Sequence, residues 1–237
     1  MEVSVCVPVY RAHPAPNVAG LAAALPAALG ERTGELVVAL NGIAAAAAGV
    51  PDSLRTVALP ANRGVAPGWN AAARASAGQI LVFANDDVVL GERSLTRLAS
   101  ALDERPDAGI VGPVGGIWNR STWEHETTVA PTDGIAACDA VSGFLFATRR
   151  ETWDAVNGFD EVYAPASWEE IDFNMAVQQM GLRSYAVAGV EAAHEWGISA
   201  RQRPWKTVRW NGRRELLWSI HRRNRRHFLS KWSAPAT

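Results

Sequence analysis

Apolar residues fall along the first part of this chain in short unbroken runs. "EVSVCVPV" (residues 2–9), "ELVVAL" (Glu35–Leu40), "RTVAL" (Arg55–Leu59) and "ILVFA" (Ile80–Ala84) are bounded by turn residues and lack polar alternation. Such runs predict strands buried on both faces, as in a parallel sheet covered by helices. Between them lie an Ala/Leu segment from about Pro16 to Leu29 and an Ala-rich one from Gly64 to Ala77, both read as helices. "GERSLTRLASALDE" then sets Leu95, Leu98 and Leu102 on one helical face, ahead of a strand at "GIVGPV". Strand and helix alternate to about residue 110, which predicts an α/β fold with a mostly parallel central sheet flanked by helices.

The pattern changes after residue 110. Gly- and Trp-bearing loops surround a strand at "AVSGFLFATR", a helix from Arg150, a loop at "GFDEVYAPAS" and a helix from Trp168 to Met180. With no internal repeat and no linker, residues 1–200 read as one domain with halves 1–110 and 111–200, and residues 201–237 as a helical extension. Charge sharpens that last boundary. From residue 201 onward there are eleven Lys and Arg and a single acid, Glu215, leaving 12 basic and 23 acidic residues before it. An acidic body with a basic tail points to an anionic partner near the tail. Cys6 and Cys138 show neither metal spacing nor a disulfide framework, "MEVSVCVPVY" lacks the features of a signal peptide, and no apolar run reaches the roughly 20 residues of a membrane span. The expectation is a cytoplasmic protein, at most peripheral to a membrane.

Candidate chemistry starts at "ILVFANDDVVL", where an apolar run stops on Asn85, Asp86 and Asp87. Unpaired carboxylates are costly to bury, so this acidic pair belongs at an open strand end. A strand-to-loop turn, a divalent-metal ligand set and an acid/base pair all fit it. In open parallel sheets ligands bind beyond the carboxyl ends of the strands. The first, second and fourth strands end in "PVYRAH", "NG" and "NDD", which puts the acids at the mouth of a site.

Four segments, "VSVCVPVYRAH", "NRGVAPGWNAAARASAGQILVFANDDV", "VSGFLFATRRETWDAVNGFDEVYAPASWEEIDFN" and "HEWGIS", together resemble family 2 glycosyltransferases of the GT-A fold, in particular their rhamnosyltransferase-like branch. The resemblance runs from about Val3 to Ser199 and implies a single nucleotide-sugar-binding domain. It implies an inverting enzyme that moves a sugar from a UDP- or dTDP-sugar to an acceptor hydroxyl, with Mn or Mg. "NDD" stands at the Asp-x-Asp-type position, with Asp87 as metal ligand and Asp86 and Asn85 toward the metal's water or the ribose. His194 matches the late His that reaches the same metal. "WEEIDFN" stands at the base motif, with Glu170 where Asp is usual, Glu169 as the alternative base and Asp172 orienting the acceptor or structure. A base at this helix N-terminus would have its pKa lowered by the dipole. For the nucleotide the resemblance implies Pro8, Val9, Tyr10, Asn41, Asn62, Gly64 and Asn70; Leu40 stands where Asp is usual, which leaves uracil and thymine open. For the sugar and acceptor it implies Gly143, Asp160 and Trp168. A nucleotidyltransferase or a non-catalytic sugar-nucleotide-binding protein of the same fold is the alternative reading.

The acceptor is expected to be a saccharide or lipid-linked glycan, with a protein or modified nucleic acid as alternatives. The tail, with Trp210, Leu217 and Ile220 near helical spacing between arginines, reads as a basic amphipathic helix. Packing onto the domain is the favoured expectation, ahead of contact with a membrane surface or a nucleic acid.

Overall fold

Side chains of the first strand alternate between two apolar layers, which is why its sequence shows no polar alternation. The structure, a computed structural model, describes residues 2–12, 17–194 and 205–233. In chain order it runs β1 (Val3–Val9), α1 (Val18–Leu29), β2 (Gly34–Asn41), α2 (Ala45–Ala48), β3 (Arg55–Leu59), α3 (Val65–Ala75), β4 (Ile80–Ala84), β5 (Val89–Leu90), α4 (Ser94–Glu104), β6 (Ala108–Gly112), β7 (Gly115–Trp118) and β8 (His125–Val129). It continues through β9 (Ile135–Cys138), β10 (Ala140–Val141), β11 (Leu145–Arg149), α5 (Arg150–Ala155), a 3-10 turn at Glu161–Tyr163, α6 (Glu169–Gln179), β12 (Arg183–Val187), β13 (Ala192–Ala193), β14 (Thr207–Trp210), β15 (Arg213–Leu216) and α7 (Leu217–Trp232).

The main sheet has the order β3-β2-β1-β4-β11-β6-β12-β9. Its first four strands are parallel, β11 runs antiparallel to β4 and β6, and β12 is parallel to β6. Val5 and Val7 of β1 and Val82 of β4 join one core layer, with Leu21, Leu95, Leu98 and Leu102 of α1 and α4. Cys6, Leu81 and Phe83 point the other way, into a layer with Trp69 of α3 and Phe173 of α6. The chain leaves β1 toward β2 and β3 on one side and returns as β4 on the other. The carboxyl ends of β1 and β4 therefore flank a topological switch point, where an open sheet leaves a crevice.

Three sequence expectations change. The run Arg55–Leu59 is a strand, but as β3 it lies at the edge of the sheet and is exposed or half-buried along its length rather than buried on both faces. The segment "AVSGFLFATR" is two strands rather than one: β10 belongs to a small sheet with β7 and β8, and β11 belongs to the main sheet. The break at Ser142–Phe144 satisfies its backbone across two neighbours, since Ser142 N–H donates to Val114 O (2.8 Å) and Phe144 O accepts from Asn85 N–H (3.0 Å). The tail is also not helical throughout. Residues 207–216 form a β-hairpin whose turn residues, Asn211 and Gly212, both have positive φ (44° and 73°), as a tight two-residue hairpin turn requires. Only then does α7 begin. Among the described residues no helix is long and apolar enough to cross a membrane.

The apolar face of α7 is packed onto the domain. Leu217, Ile220, Asn224 and Phe228 are buried, and the Phe228 ring lies 4.7 Å from Trp123 and 4.9 Å from Trp168. The Asn224 amide reaches the carbonyls of Tyr163 (2.5 Å), Ala166 (3.0 Å) and Ser167 (3.0 Å), so α7 pins the loop that leads into α6. Truncating Phe228, which is fully buried, removes the centre of this contact. Phe228→Ala is expected to lower stability by about 3–5 kcal/mol, read as a lower urea midpoint with an unchanged m-value.

Candidate active site

At the end of β4 the backbone turns away from the sheet, with Val88 N–H donating to Asn85 O (3.4 Å), and the two acids that follow are both largely withdrawn from water. Their positive partner comes from the neighbouring strand end. Arg11, just beyond β1, grips Asp86 with two guanidinium nitrogens and approaches Asp87 Oδ2 at 3.5 Å. Burial raises the Asp86 pKa above its ordinary value, and the Arg11 contact offsets only part of that rise. At Asp87 burial acts in the same direction, but His194 and Arg11 outweigh it and hold the carboxyl below its ordinary value.

His194 is delivered by a two-residue pairing. Ala192 and Ala193 of β13 lie opposite Leu90 and Val89 of β5, just after the acidic turn, and Gly91 N–H donates to Glu191 O (2.8 Å). The imidazole stacks on Phe144, with centroids 5.1 Å apart and planes 22° from parallel. Its Nε2 lies 3.3 Å from Asp87 Oδ1 and 3.1 Å from the Asn85 side-chain amide. One ring nitrogen thus faces a carboxylate, which wants a proton there, and an amide, whose N–H would want a lone pair. A cation accepting from both Nε2 and Asp87 would resolve that conflict. The separation is close to the roughly 3 Å edge between neighbouring donors on a metal with bonds of about 2.1 Å. Carboxylate oxygens with one imidazole form a donor set suited to Mn. The Arg11 guanidinium is already a stand-in cation between the acids, so these residues fit a divalent metal, although the described residues contain no cluster of three or more ligating side chains.

The amino end of α6 brings up the second group. Ser167 and Trp168 both take positive φ (85° and 79°), and the helix starts immediately at Glu169. Glu169 is buried, and its Oε2 has no hydrogen-bond partner among the described residues. Glu170 is partly exposed. Burial raises both carboxyls, Glu169 well above its ordinary value with the Glu170 charge adding to the rise, while backbone N–H groups of the first turn offset only part of it. The lowered pKa expected from the helix dipole is therefore corrected: desolvation exceeds the dipole here. Gly143 lies flat against Glu170, since a Cβ there would meet Glu170 Cγ at 3.0 Å. Its neighbour Phe144 carries the stacked His194, so the dipeptide Gly143–Phe144 links the acidic turn to the Glu170 carboxylate.

The remaining sequence candidates divide by location. Tyr10 is exposed at the end of β1, whereas Pro8 and Val9 are buried within it. Asn41 is buried and pins the following loop, donating to Gly64 O (2.8 Å) and accepting from Arg63 N–H (2.7 Å). Gly64, at φ 102°, abuts Pro165, whose Cα would lie 2.6 Å from an added Cβ. Asn62 is held by the tail hairpin, its side-chain amide donating to Arg209 O (3.0 Å) and its backbone carbonyl accepting from Asn211 N–H (2.7 Å). Asn70 clamps the backbone of Phe159 in both directions at 2.9 Å. Asp160 caps the 3-10 turn and meets Lys231 at 3.2 Å. Asp172 accepts from Tyr163 (2.8 Å), Lys231 (2.9 Å) and Trp232 (2.6 Å), and Trp168 packs on Phe228. The structure thus brings Tyr10, Asn85, Asp86, Asp87, His194, Gly143, Glu169 and Glu170 to one edge. It places Asn70, Asp160, Trp168 and Asp172 in supporting contacts behind it. Sequence reasoning missed Arg11, and it placed the Ser142–Phe144 segment on the sugar and acceptor side without foreseeing that Phe144 stacks on His194; Arg11 had a signal, being a lone basic residue in a strand exit that faces two acids.

A family model described as glycosyl transferase family 2 matches residues 4–162. Among solved structures the chain is similar to the crystal structure of GalNAc-T7 with UDP, GalNAc and Mn2+, at a TM-score of 0.64 and 13% identity over 82% of this chain and 44% of that one. The chain spans less than half the length of that structure, and the likeness is one of fold. No curated protein matches the sequence. The architecture is that of the GT-A fold, with the acidic turn at its switch point inside the matched region, and the chain belongs to glycosyl transferase family 2.

Proposed function

We propose that this protein is an inverting, metal-dependent glycosyltransferase that moves a sugar from a nucleoside-diphosphate sugar, with UDP-sugars favoured, to an acceptor hydroxyl of a saccharide or lipid-linked glycan. The observation that carries this reading is the joining of the Arg11–Asp86–Asp87–His194 cluster to Glu170 through Gly143–Phe144. Family membership supports it, as does a similar fold that holds UDP, GalNAc and Mn2+.

Asp87 and His194 would hold the cation, with Asp86 beside them. A divalent cation there supplies Lewis-acid stabilisation to a departing diphosphate. Tyr10, exposed at the end of β1, would meet the nucleotide, and the buried Asn41, which holds the 62–64 loop, would fix the wall of that site. Phe144 keeps the imidazole face-on and excludes water from one side. Glu170, partly exposed and braced by Gly143, takes the proton of the acceptor hydroxyl as its oxygen bonds to the anomeric carbon and the bond from that carbon to the diphosphate breaks. Glu169 is buried and retains its proton more strongly, which leaves the negative charge of the pair on Glu170. Inversion follows from a single in-line displacement with one base.

Three outcomes test these roles. Asp87→Ala should remove the Mn-dependent thermal stabilisation by UDP, while Arg11→Gln, which frees the carboxylates, should tighten binding of Mn alone by on the order of tenfold; loss of Mn binding in Arg11→Gln would contradict the stand-in role. Glu170→Gln should retain UDP–Mn binding and lose about 10² to 10⁴ in transfer rate, and the acid limb of the wild-type rate profile should lie above pH 4.5, because burial raises this carboxyl. Full activity in Glu170→Gln, with loss in Glu169→Gln, would move the base to Glu169. The third outcome concerns stability. A carboxyl whose folded pKa is raised contributes fully below its unfolded value and loses that contribution as pH rises through the folded value. Glu169→Gln should therefore unfold at higher temperature than wild type on the alkaline side, with the gap closing below about pH 4.5.

A further inference from the structure

Three of the seven large hydrophobic side chains exposed among the described residues lie within 205–218: Trp205 (73% exposed), Leu216 (47%) and Trp218 (50%). They sit among arginines. Strand register puts Thr207 opposite Leu216 and Arg209 opposite Arg214, so these four share the outer face of the hairpin, and Arg209 and Arg214 are both exposed. Like charges directly opposite each other across a strand pair are destabilising. The only acid in 205–233, Glu215, points to the inner face, where it meets Arg223 (2.6 Å) and Trp210 Nε1 (3.2 Å). It therefore does nothing to neutralise the outer pair. The surface continues onto α7, where the Arg222 guanidinium lies 5.3 Å over the Trp218 ring and Arg226 follows one turn later, both exposed.

We infer that this hairpin and the outer face of α7 form a docking surface for an anionic lipid bilayer. Charge complementarity requires a negative partner for a face that carries an uncompensated arginine pair. The interleaved tryptophans and Leu216 favour a bilayer over a polyanion in water, because Trp settles at the headgroup level while arginines meet anionic headgroups. The opposite face of α7 is already buried in the domain, so docking needs no unfolding. The same hairpin holds Asn62 through Arg209 O and Asn211 N–H, which places the bilayer one hydrogen-bonded step from the loop that walls the proposed nucleotide site.

The test is flotation of the full chain with phosphatidylcholine–phosphatidylglycerol vesicles against pure phosphatidylcholine vesicles, with UDP–Mn binding measured on the same preparation. Wild type should float with the anionic vesicles only, and more weakly as salt is raised. The double variant Arg209→Gln, Arg214→Gln should bind roughly 30-fold more weakly, while its urea midpoint is unchanged or higher because the opposed charges are gone. Trp218→Ser should reduce the binding that survives high salt. Equal binding to both vesicle types, wild-type binding by the double variant, no flotation at low salt, or displacement of the vesicles by a single-stranded oligonucleotide bound in preference would each overturn the inference. Loss of flotation with UDP–Mn binding intact would sink this proposal alone and leave the glycosyl-transfer reading standing.

Discussion

Two carboxylates at the end of a strand buried on both faces must find positive charge close at hand, and much of the site can be understood from that requirement. Asp86 and Asp87 follow β4 directly, so the polypeptide cannot carry them far from the core. Arg11 meets them from the end of β1, the adjacent parallel strand, and His194 meets the other carboxylate oxygen of Asp87. Each partner is brought by backbone pairing: Arg11 by the β1–β4 register, His194 by the short β5–β13 ladder. A site assembled in this way gives its buried acids polar partners, one of them a guanidinium, before any ligand arrives. It can also exchange one cation for another without first creating buried unpaired acids.

The tail has a part in the same arrangement that its composition does not suggest. Asn224 holds the carbonyls of the loop before α6, and Lys231 and Trp232 hold Asp172 within α6. The helix that presents Glu170 is thereby fixed from behind by α7. Two supporting acids, Asp160 and Asp172, are bound to the tail, which leaves Glu169 and Glu170 as the carboxyls at the head of the helix. The raised pKa of both shows which force dominates there. A helix amino terminus favours negative charge by a fraction of a kcal/mol to about 1 kcal/mol, and burial of two adjacent carboxyls outweighs it.

Elements β1 to β4 were legible in the sequence because each is an apolar run of strand length ended by turn residues; both faces of β1, β2 and β4 are buried, whereas β3, with one neighbour at the sheet edge, stays exposed or half-buried. The acidic turn was legible because charge interrupting such a run has few inexpensive explanations. The split of residues 140–149 between two sheets was not, since Ala140–Val141 and the start of β11, Leu145–Ala147, are both apolar and nothing local says that they pair with different partners. The hairpin at 207–216 did carry a local signal, Asn211-Gly212 between strand-like residues, which the surrounding arginines and helical spacing obscured.

What the chain determined by itself was the order of its elements, the two-sided burial of the central strands and the placing of Asn85–Asp87 at a strand end, because those depend on local polarity and spacing. What only the tertiary structure decided was partnership. Asn70, Asp160 and Asp172 have the right chemistry for a ligand, yet each spends it on another part of the chain, while Arg11 and Phe144 enter the site through contacts distant in sequence. Hydrogen bonds and ion pairs form between neighbours in space. A sequence can state which groups need partners, and the fold chooses them.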